Sequence, residues 1–308
     1  MNYKEIIYGS EFNKMKYTDN EQFPPAVIIE TTNFCNLKCS CCAHDKMKRE
    51  KGVMQLELYK KIIKEVADVD KGTNIWMVFY GEPLTLRYKI VYLIDYAKKA
   101  GLKNVFMNTN GILLDDEISE AIIDAKLDKI VFSLDAYYED TYKRIRNNDN
   151  FEKVKNNILQ FIKTRNRLNS PIEIEIQLIE LPGVHKENEI YKFKEYWVNQ
   201  GAKVKVKQYL TWTNEINIDK RDGIKRYPCT WLFKTFVATW NGKVVQCGCD
   251  YDGKSIAGDL NNTSIKDIWQ KKLKKIRDLH LEEKYLQTPI CSNCTDWSSY
   301  EILEFLHE

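Results

Sequence analysis

Short apolar runs alternate along this chain with longer stretches in which apolar residues recur every three or four positions. Val27 to Ile29 opens the series as a strand, and Leu56, Tyr59, Ile62, Ile63, Val66 and Val69 then fall on one face of a helix. Ile75 to Tyr80 reads as the second strand. A helix from Tyr88 to Ala100 stops at Gly101, a residue suited to the left-handed turn after a helix. Further strands are predicted at Val105 to Thr109, Ile130 to Leu134, Ile172 to Ile179 and Val204 to Tyr209, with helices near Asp116 to Ala125, Phe151 to Leu168 and Glu187 to Asn199. Six strands with helices between them predict an α/β fold built on a parallel sheet with right-handed crossovers, either open or closing into a barrel.

The strands also show which face carries chemistry. From Ile172 to Leu178 apolar residues alternate with Glu173, Glu175 and Gln177, so one face packs on helices and the other is polar. The same alternation groups Ser133 with Asp135, Asn108 with Asn110, and Lys205 with Lys207. A parallel strand covered on both faces reads as continuously apolar. Polar residues on one face of several strands therefore predict a wet lumen lined for binding, where Lys205 and Lys207 would suit an anion; the competing reading is an edge strand facing solvent.

Composition narrows the class. At 308 residues, 44% hydrophobic and 30% charged, the chain can bury a large core. Lys+Arg 47 against Asp+Glu 44 leaves a net charge of +3, which makes no electrostatic case for nucleic acid. No stretch approaches a membrane span and Met1 to Glu21 has no apolar signal core, so a cytoplasmic chain is expected. There, nine cysteines in clustered spacings point to metal ligation before disulfides. The four histidines, His44, His185, His280 and His307, show no metal-site spacing.

Cys35, Cys39 and Cys42 stand in a CxxxCxxC spacing just after the first strand. Three thiolates can hold three irons of a 4Fe-4S cube and leave the fourth open to a bound molecule. A zinc site with Cys41 as fourth thiolate is the alternative, although such sites are usually assembled from two separated pairs. The run from Thr31 to Cys42 resembles the hallmark of the radical S-adenosylmethionine (SAM) superfamily, in which an aromatic residue often precedes the third cysteine; here Cys41 stands there, and spacing selects Cys42. The resemblance implies a partial (β/α)6 barrel. Gly81-Glu82-Pro83 resembles the family's GGEP segment, which meets the SAM amino group, with Tyr80 in place of the first glycine. Asn108-Thr109-Asn110-Gly111 and Ser133-Leu134-Asp135 resemble the segments near ribose and adenine. Each follows a strand, at the end where parallel α/β folds place their active sites.

A second set, Cys229, Cys247, Cys291 and Cys294, frames a predicted hairpin (Phe236 to Thr239 and Val244 to Gln246, turning at Trp240-Asn241-Gly242) and a helix from Ile265 to Leu279. Four thiolates could hold zinc or a second cube. Cys229, Gly242 and Cys247 followed by a distant CxxC resemble the auxiliary-cluster domains called SPASM and Twitch, which implies a second 4Fe-4S cluster. Cys41 and Cys249 remain over and read first as inert buried cysteines; the alternative for Cys249 is a spare ligand or a hydrogen-atom donor, and the latter would make the enzyme an epimerase. The basic run Lys271 to Arg277 reads as a solvated helix face.

Together these readings give an N-terminal extension over 1–25, a radical SAM core over 26–210, a linker over 211–228 and an auxiliary-cluster domain over 229–308. The resemblance implies an electron from flavodoxin or ferredoxin, SAM cleaved to a 5′-deoxyadenosyl radical, and hydrogen abstraction from a substrate in the lumen. A compact core with one auxiliary cluster resembles enzymes of the 2-deoxy-scyllo-inosamine dehydrogenase type, so oxidation of a sugar or cyclitol alcohol is expected first. Peptide modification comes second, and a non-catalytic zinc or iron–sulfur protein is the alternative from another class.

Overall fold

The computed structural model describes residues 22–216, 226 and 228–298. Most of the expected N-terminal extension, linker positions 217–225 and 227, and His307 lie outside the described residues. One nine-stranded sheet organises the rest, in the order β6-β5-β4-β3-β2-β1-β7-β8-β9. Its first six strands are β1 (Ala26–Ile29), β2 (Asn74–Trp76), β3 (Asn104–Thr109), β4 (Lys129–Ser133), β5 (Glu173–Glu180) and β6 (Lys203–Gln208). Each pairs in parallel with the next, as strand-helix repeats require. The crossovers carry α1 (Leu56–Val69), α2 (Tyr88–Lys99), α3 (Asp116–Asp124), α4 (Glu139–Arg146), α5 (Phe151–Arg167) and α6 (Glu189–Asn199). This is the partial barrel that the family resemblance implies, built on the parallel strand–helix repeat the periodicity predicts.

Alternation sorts the side chains. Val105, Met107 and Thr109 of β3 are buried toward the helices, where Tyr59, Ile62, Ile63 and Val66 of α1 also pack. Phe106 and Asn108 point the other way, and Phe106 meets Trp76 across the ladder edge to face, with centroids 5.0 Å apart. On that lumen face Lys129 bridges Glu173 at 2.9 Å and Glu175 at 2.5 Å, while Lys203 pairs with Glu173. Glu173 and Glu175 are therefore bound into an ion network rather than left wet, and Gln177 is buried beside them on β5.

β2 is shorter than expected. After Trp76 one more ladder bond runs from Met77 N to Phe106 O at 2.9 Å, and the chain then bends toward Gly81. α4 was not foreseen: its eight residues, EDTYKRIR, are mostly polar, and its buried members are held by contacts distant in sequence.

The C-terminal hairpin does not form a sheet of its own. After α7 (Trp231–Lys234), β7 (Thr235–Ala238) pairs in parallel with β1 from Ala26↔Thr235 to Ile29↔Ala238, and β8 (Lys243–Val245) and β9 (Ile256–Asp259) follow antiparallel. The last helix is interrupted. α8 (Ile265–Ile268) and α9 (Lys274–Leu281) flank a π turn over Trp269–Leu273. The extra residue in that turn rotates Arg277 inward, 3.9 Å from the Trp269 ring centroid and donating to Trp269 O, so this member of the basic run is buried rather than solvated.

Candidate functional site

The loop after β1 is fixed from several sides. Asn33 Nδ2 donates to Glu50 O at 2.9 Å, its Oδ1 accepts from Gly52 N at 2.7 Å, and its carbonyl meets His44 Nε2 at 2.9 Å. Fully buried Glu30, the residue after β1, forms an ion pair with Arg49 and also accepts from Tyr80 N and Trp240 N, so one carboxylate joins the cysteine loop, the β2 turn and the hairpin.

Within this frame Cys35, Cys39 and Cys42 come together. Cys42 N bonds to Cys39 O, and the three sulfurs are near enough for their charges to act on one another. Burial, first of all, pushes the Cys35 thiol up to about 11 and that of Cys42 up to about 12. Cys41 turns away, into a small apolar cluster with Ile145 and Leu181, while its carbonyl accepts from Trp212 Nε1 at 2.9 Å.

The turn after β2 lies against this loop. Gly81 adopts φ +145, and a Cβ there would fall 2.3 Å from Thr32 O, so only glycine allows the approach. Glu82 N donates to Phe34 O at 2.8 Å. The Glu82 carboxylate, fully buried, accepts from Leu84 N, Thr109 Oγ1 and Asn110 N at 3.0, 2.7 and 2.7 Å, and Pro83 opens the short helical turn that follows. Desolvation raises its carboxyl above the usual range. Asn110 Nδ2 continues the chain of bonds to Asn36 Oδ1 at 2.8 Å. Asn108 leaves a buried Oδ1 with no partner.

Beyond β4, Ser133 offers its carbonyl and Asp135 its carboxylate to one guanidinium, Arg146 of α4, each at 2.5 Å. Arg146 Nη1 also reaches Cys39 Sγ at 3.5 Å. Sequence reading missed Arg146, because an arginine in a polar helix looks like solvated surface; only the fold places Asp135 opposite it. Tyr142, one turn earlier, has a buried hydroxyl without a partner.

The second set also assembles. Cys229, Cys247, Cys249, Cys291 and Cys294 line one cavity enclosing about 380 Å³, open mouth included, together with Arg226, Asp296 and Trp297. Gln246 Nε2 donates to Cys291 Sγ at 3.0 Å, and burial pushes the Cys291 thiol up to about 11. Cys249 is hydrogen-bonded to Cys247 inside this cavity. Tyr80 stands between the sets: its hydroxyl donates to Gly248 O at 3.4 Å and its ring packs on Trp212, with centroids 5.3 Å apart. Trp212, Thr213 and Asn214 all have positive φ, a turn pinned by Asp296 accepting from Thr211 N and Thr213 N.

The donors fit iron–sulfur groups. At the C-terminal set thiols gather around a cavity, and by the first set the buried Asn108 Oδ1 and Tyr142 hydroxyl lack partners, an arrangement that suits thiolate-held clusters with a polar ligand beside the first. Among the described residues no group of three or more His, Cys, Asp or Glu could hold a metal ion; a cube instead takes each thiolate on a separate iron. The Radical SAM superfamily profile matches residues 29–187, over half the chain. The chain belongs to the radical SAM superfamily. An iron–sulfur cluster-binding domain, SPASM, matches residues 229–295. With membership come a 4Fe-4S cluster and SAM, and with SPASM auxiliary iron–sulfur binding.

Among the relatives of this radical SAM protein, a probable GTP 3′,8-cyclase of Methanothermobacter marburgensis is 28% identical over 216 residues, 70% of this chain and 66% of that protein. GTP 3′,8-cyclase of Alkaliphilus metalliredigens is 28% identical over 58% of this chain and 53% of its own length. The chain thus spans two thirds or less of these curated relatives. Among solved structures, BtrN in complex with AdoMet and 2-DOIA superposes with TM-score 0.61 at 19% identity, over 88% of this chain and 92% of BtrN. Streptococcus suis SuiB bound to precursor peptide SuiA gives 0.68 at 15%, over 86% and 69%. At such identities the likeness is one of fold. Among the described residues no helix is long and apolar enough to cross a membrane.

Proposed function

We propose that this chain is a cytoplasmic radical SAM oxidoreductase that removes a hydrogen atom from a sugar or cyclitol alcohol; the substrate would leave two hydrogens poorer, its second electron passing to the auxiliary cluster and its proton to solvent. The observation that carries this is the likeness to BtrN, a structure holding the small molecule 2-DOIA, which extends over 88% of this chain and 92% of that one. The names of the cyclase relatives favour GTP as an alternative substrate, and SuiB favours a peptide.

In this reading Cys35, Cys39 and Cys42 hold the first cluster, and Cys229, Cys247, Cys291 and Cys294 hold the auxiliary one. Cluster and SAM, when bound, supply the 5′-deoxyadenosyl radical after one electron arrives from a flavodoxin or ferredoxin. The chain's own part is positioning. Glu82 locks the Gly81-Glu82-Pro83 turn onto Thr109 and Asn110. Asn108 Oδ1, buried and without a partner, would accept a hydrogen bond from the ligand, with Ser133 and Asp135 at the end of β4 beside it. Lys129, Glu173, Glu175 and Lys203 form a network of paired charges toward the starts of β4, β5 and β6, at the other end of the lumen. Lys205 and Lys207 lie on the same face of β6.

Anaerobic incubation of reconstituted protein with SAM, reductant and a panel of cyclitols, sugars, peptides and GTP tests this, read by mass spectrometry. A cyclitol or sugar lighter by two hydrogens with matching 5′-deoxyadenosine is expected. Cyclised GTP or a modified peptide would replace the substrate assignment, deuterium gained at carbon from heavy water would make the outcome epimerisation, and no 5′-deoxyadenosine from loaded protein would refute catalysis.

A further inference from the structure

The last turn of α4 clasps the cysteine loop. Ser40 N and Oγ both donate to Ile145 O, at 2.8 and 3.1 Å, and Asn147 Nδ2 donates to Lys38 O at 2.7 Å. That clasp delivers Arg146. Its Nη1 lies 3.5 Å from Cys39 Sγ, and its Nη2 lies 2.5 Å from both Ser133 O and Asp135 Oδ2. Arg146 is 7% exposed and Asp135 fully buried, so water screens neither charge. Asp135 holds φ +64, a conformation costly for a residue other than glycine and kept here by Ile179 N, which donates to Asp135 Oδ1 at 2.8 Å.

We propose that Arg146 is a positioning residue that makes the cluster on Cys35, Cys39 and Cys42 easier to reduce, and that Asp135 is the counter-charge limiting its effect. The inference rests on the ligand assignment made above. Reduction adds one electron and no proton to the cluster. A guanidinium at a ligand sulfur stabilises the more negative state, both through its charge and by drawing density from the sulfur, while a carboxylate on the far side of the fork opposes it. Lysine keeps the charge but cannot span Cys39, Ser133 and Asp135 at once.

The test is a redox titration of the reconstituted full chain without SAM, followed by electron paramagnetic resonance. The signal that later SAM addition perturbs identifies the first cluster. Arg146→Met should keep its iron and show about a tenfold lower reduced-to-oxidised ratio at a fixed potential, a 59 mV fall for one electron. Arg146→Lys should lie between Met and wild type, and Asp135→Asn should move the midpoint up. A merely structural role would not shift the two variants in opposite directions. Loaded variants with unmoved midpoints, or midpoints moved the same way, overturn the proposal. Should Arg146→Met fail to load, Arg146→Lys and Asp135→Asn decide, and an Asp135→Asn midpoint that does not rise overturns it. A failed ligand assignment looks different: wild-type protein then lacks the SAM-sensitive signal altogether.

Discussion

Replacing Gly81 by alanine tests how the turn after β2 is tied to the cysteine loop. At φ +145 an L residue is strained, and the new methyl would sit 2.3 Å from Thr32 O, 2.9 Å from Asn33 Cα and 3.1 Å from Phe34 O. These are backbone atoms, braced by Asn33 and by Glu82 N, so they yield little. Backbone strain of about 1–3 kcal/mol and overpacking of about 1–3 kcal/mol together give roughly 2–6 kcal/mol. Unfolding entropy of about 2.1 cal/mol/K per residue comes to roughly 0.65 kcal/mol per degree for 308 residues, so Tm should fall by roughly 3–9 °C. Gly183 supplies the control: its φ is +71, but a Cβ there meets nothing within 4 Å. Gly183→Ala should therefore lose only the conformational part, roughly 2–5 °C. The assay is calorimetry on both variants, with iron counted at the first site, where Gly81→Ala alone should lose metal. Equal losses in the two variants, or full iron retention in Gly81→Ala, would refute the argument that close approach fixes the cysteine loop.

Other outcomes follow from the same contacts. Glu30→Ala leaves Arg49 without its counter-charge and releases Tyr80 N and Trp240 N, so it should cost about 3–5 kcal/mol, read by urea unfolding. Cys249→Ser should keep the auxiliary iron whereas Cys291→Ser should lose it, measured as iron per chain against about eight for two cubes. In metal-free protein the Cys35 and Cys291 thiols, each raised from 9.0 to about 11, stay protonated when the unfolded thiols ionise. Stability should therefore be full below pH 9 and fall as pH rises toward 11, by roughly 3 kcal/mol per thiol, seen in unfolding midpoints across that range. Iodoacetamide should correspondingly label Cys35 slowly at pH 8, where on the order of one thiol in a thousand is ionised.

The parallel strand–helix repeat was legible because its elements carry their periodicity locally, and the first cysteine set because its spacing is short-range; the barrel and the second set were read through the family resemblance. What escaped was long-range. α4 is too short and polar to announce itself, and Arg146 gains meaning only when β4 and α4 bring Asp135 and Cys39 to it. The pairing of β7 with β1 joins segments some two hundred residues apart. The inward turn of Arg277 depends on one extra residue in a π turn, which a regular helical wheel misplaces.

That β1–β7 pairing has a consequence for handling the molecule. β1 is the edge strand of the six-stranded parallel run, and its outer edge, from Ala26 to Ile29, is capped along the ladder by β7 among the described residues. A fragment ending before residue 229 would uncover a row of unpaired amides on an apolar strand, an adhesive edge that invites stacking with other copies. The barrel is therefore a poor module to excise, and a graft that exchanges the C-terminal segment must bring a strand to take the place of β7.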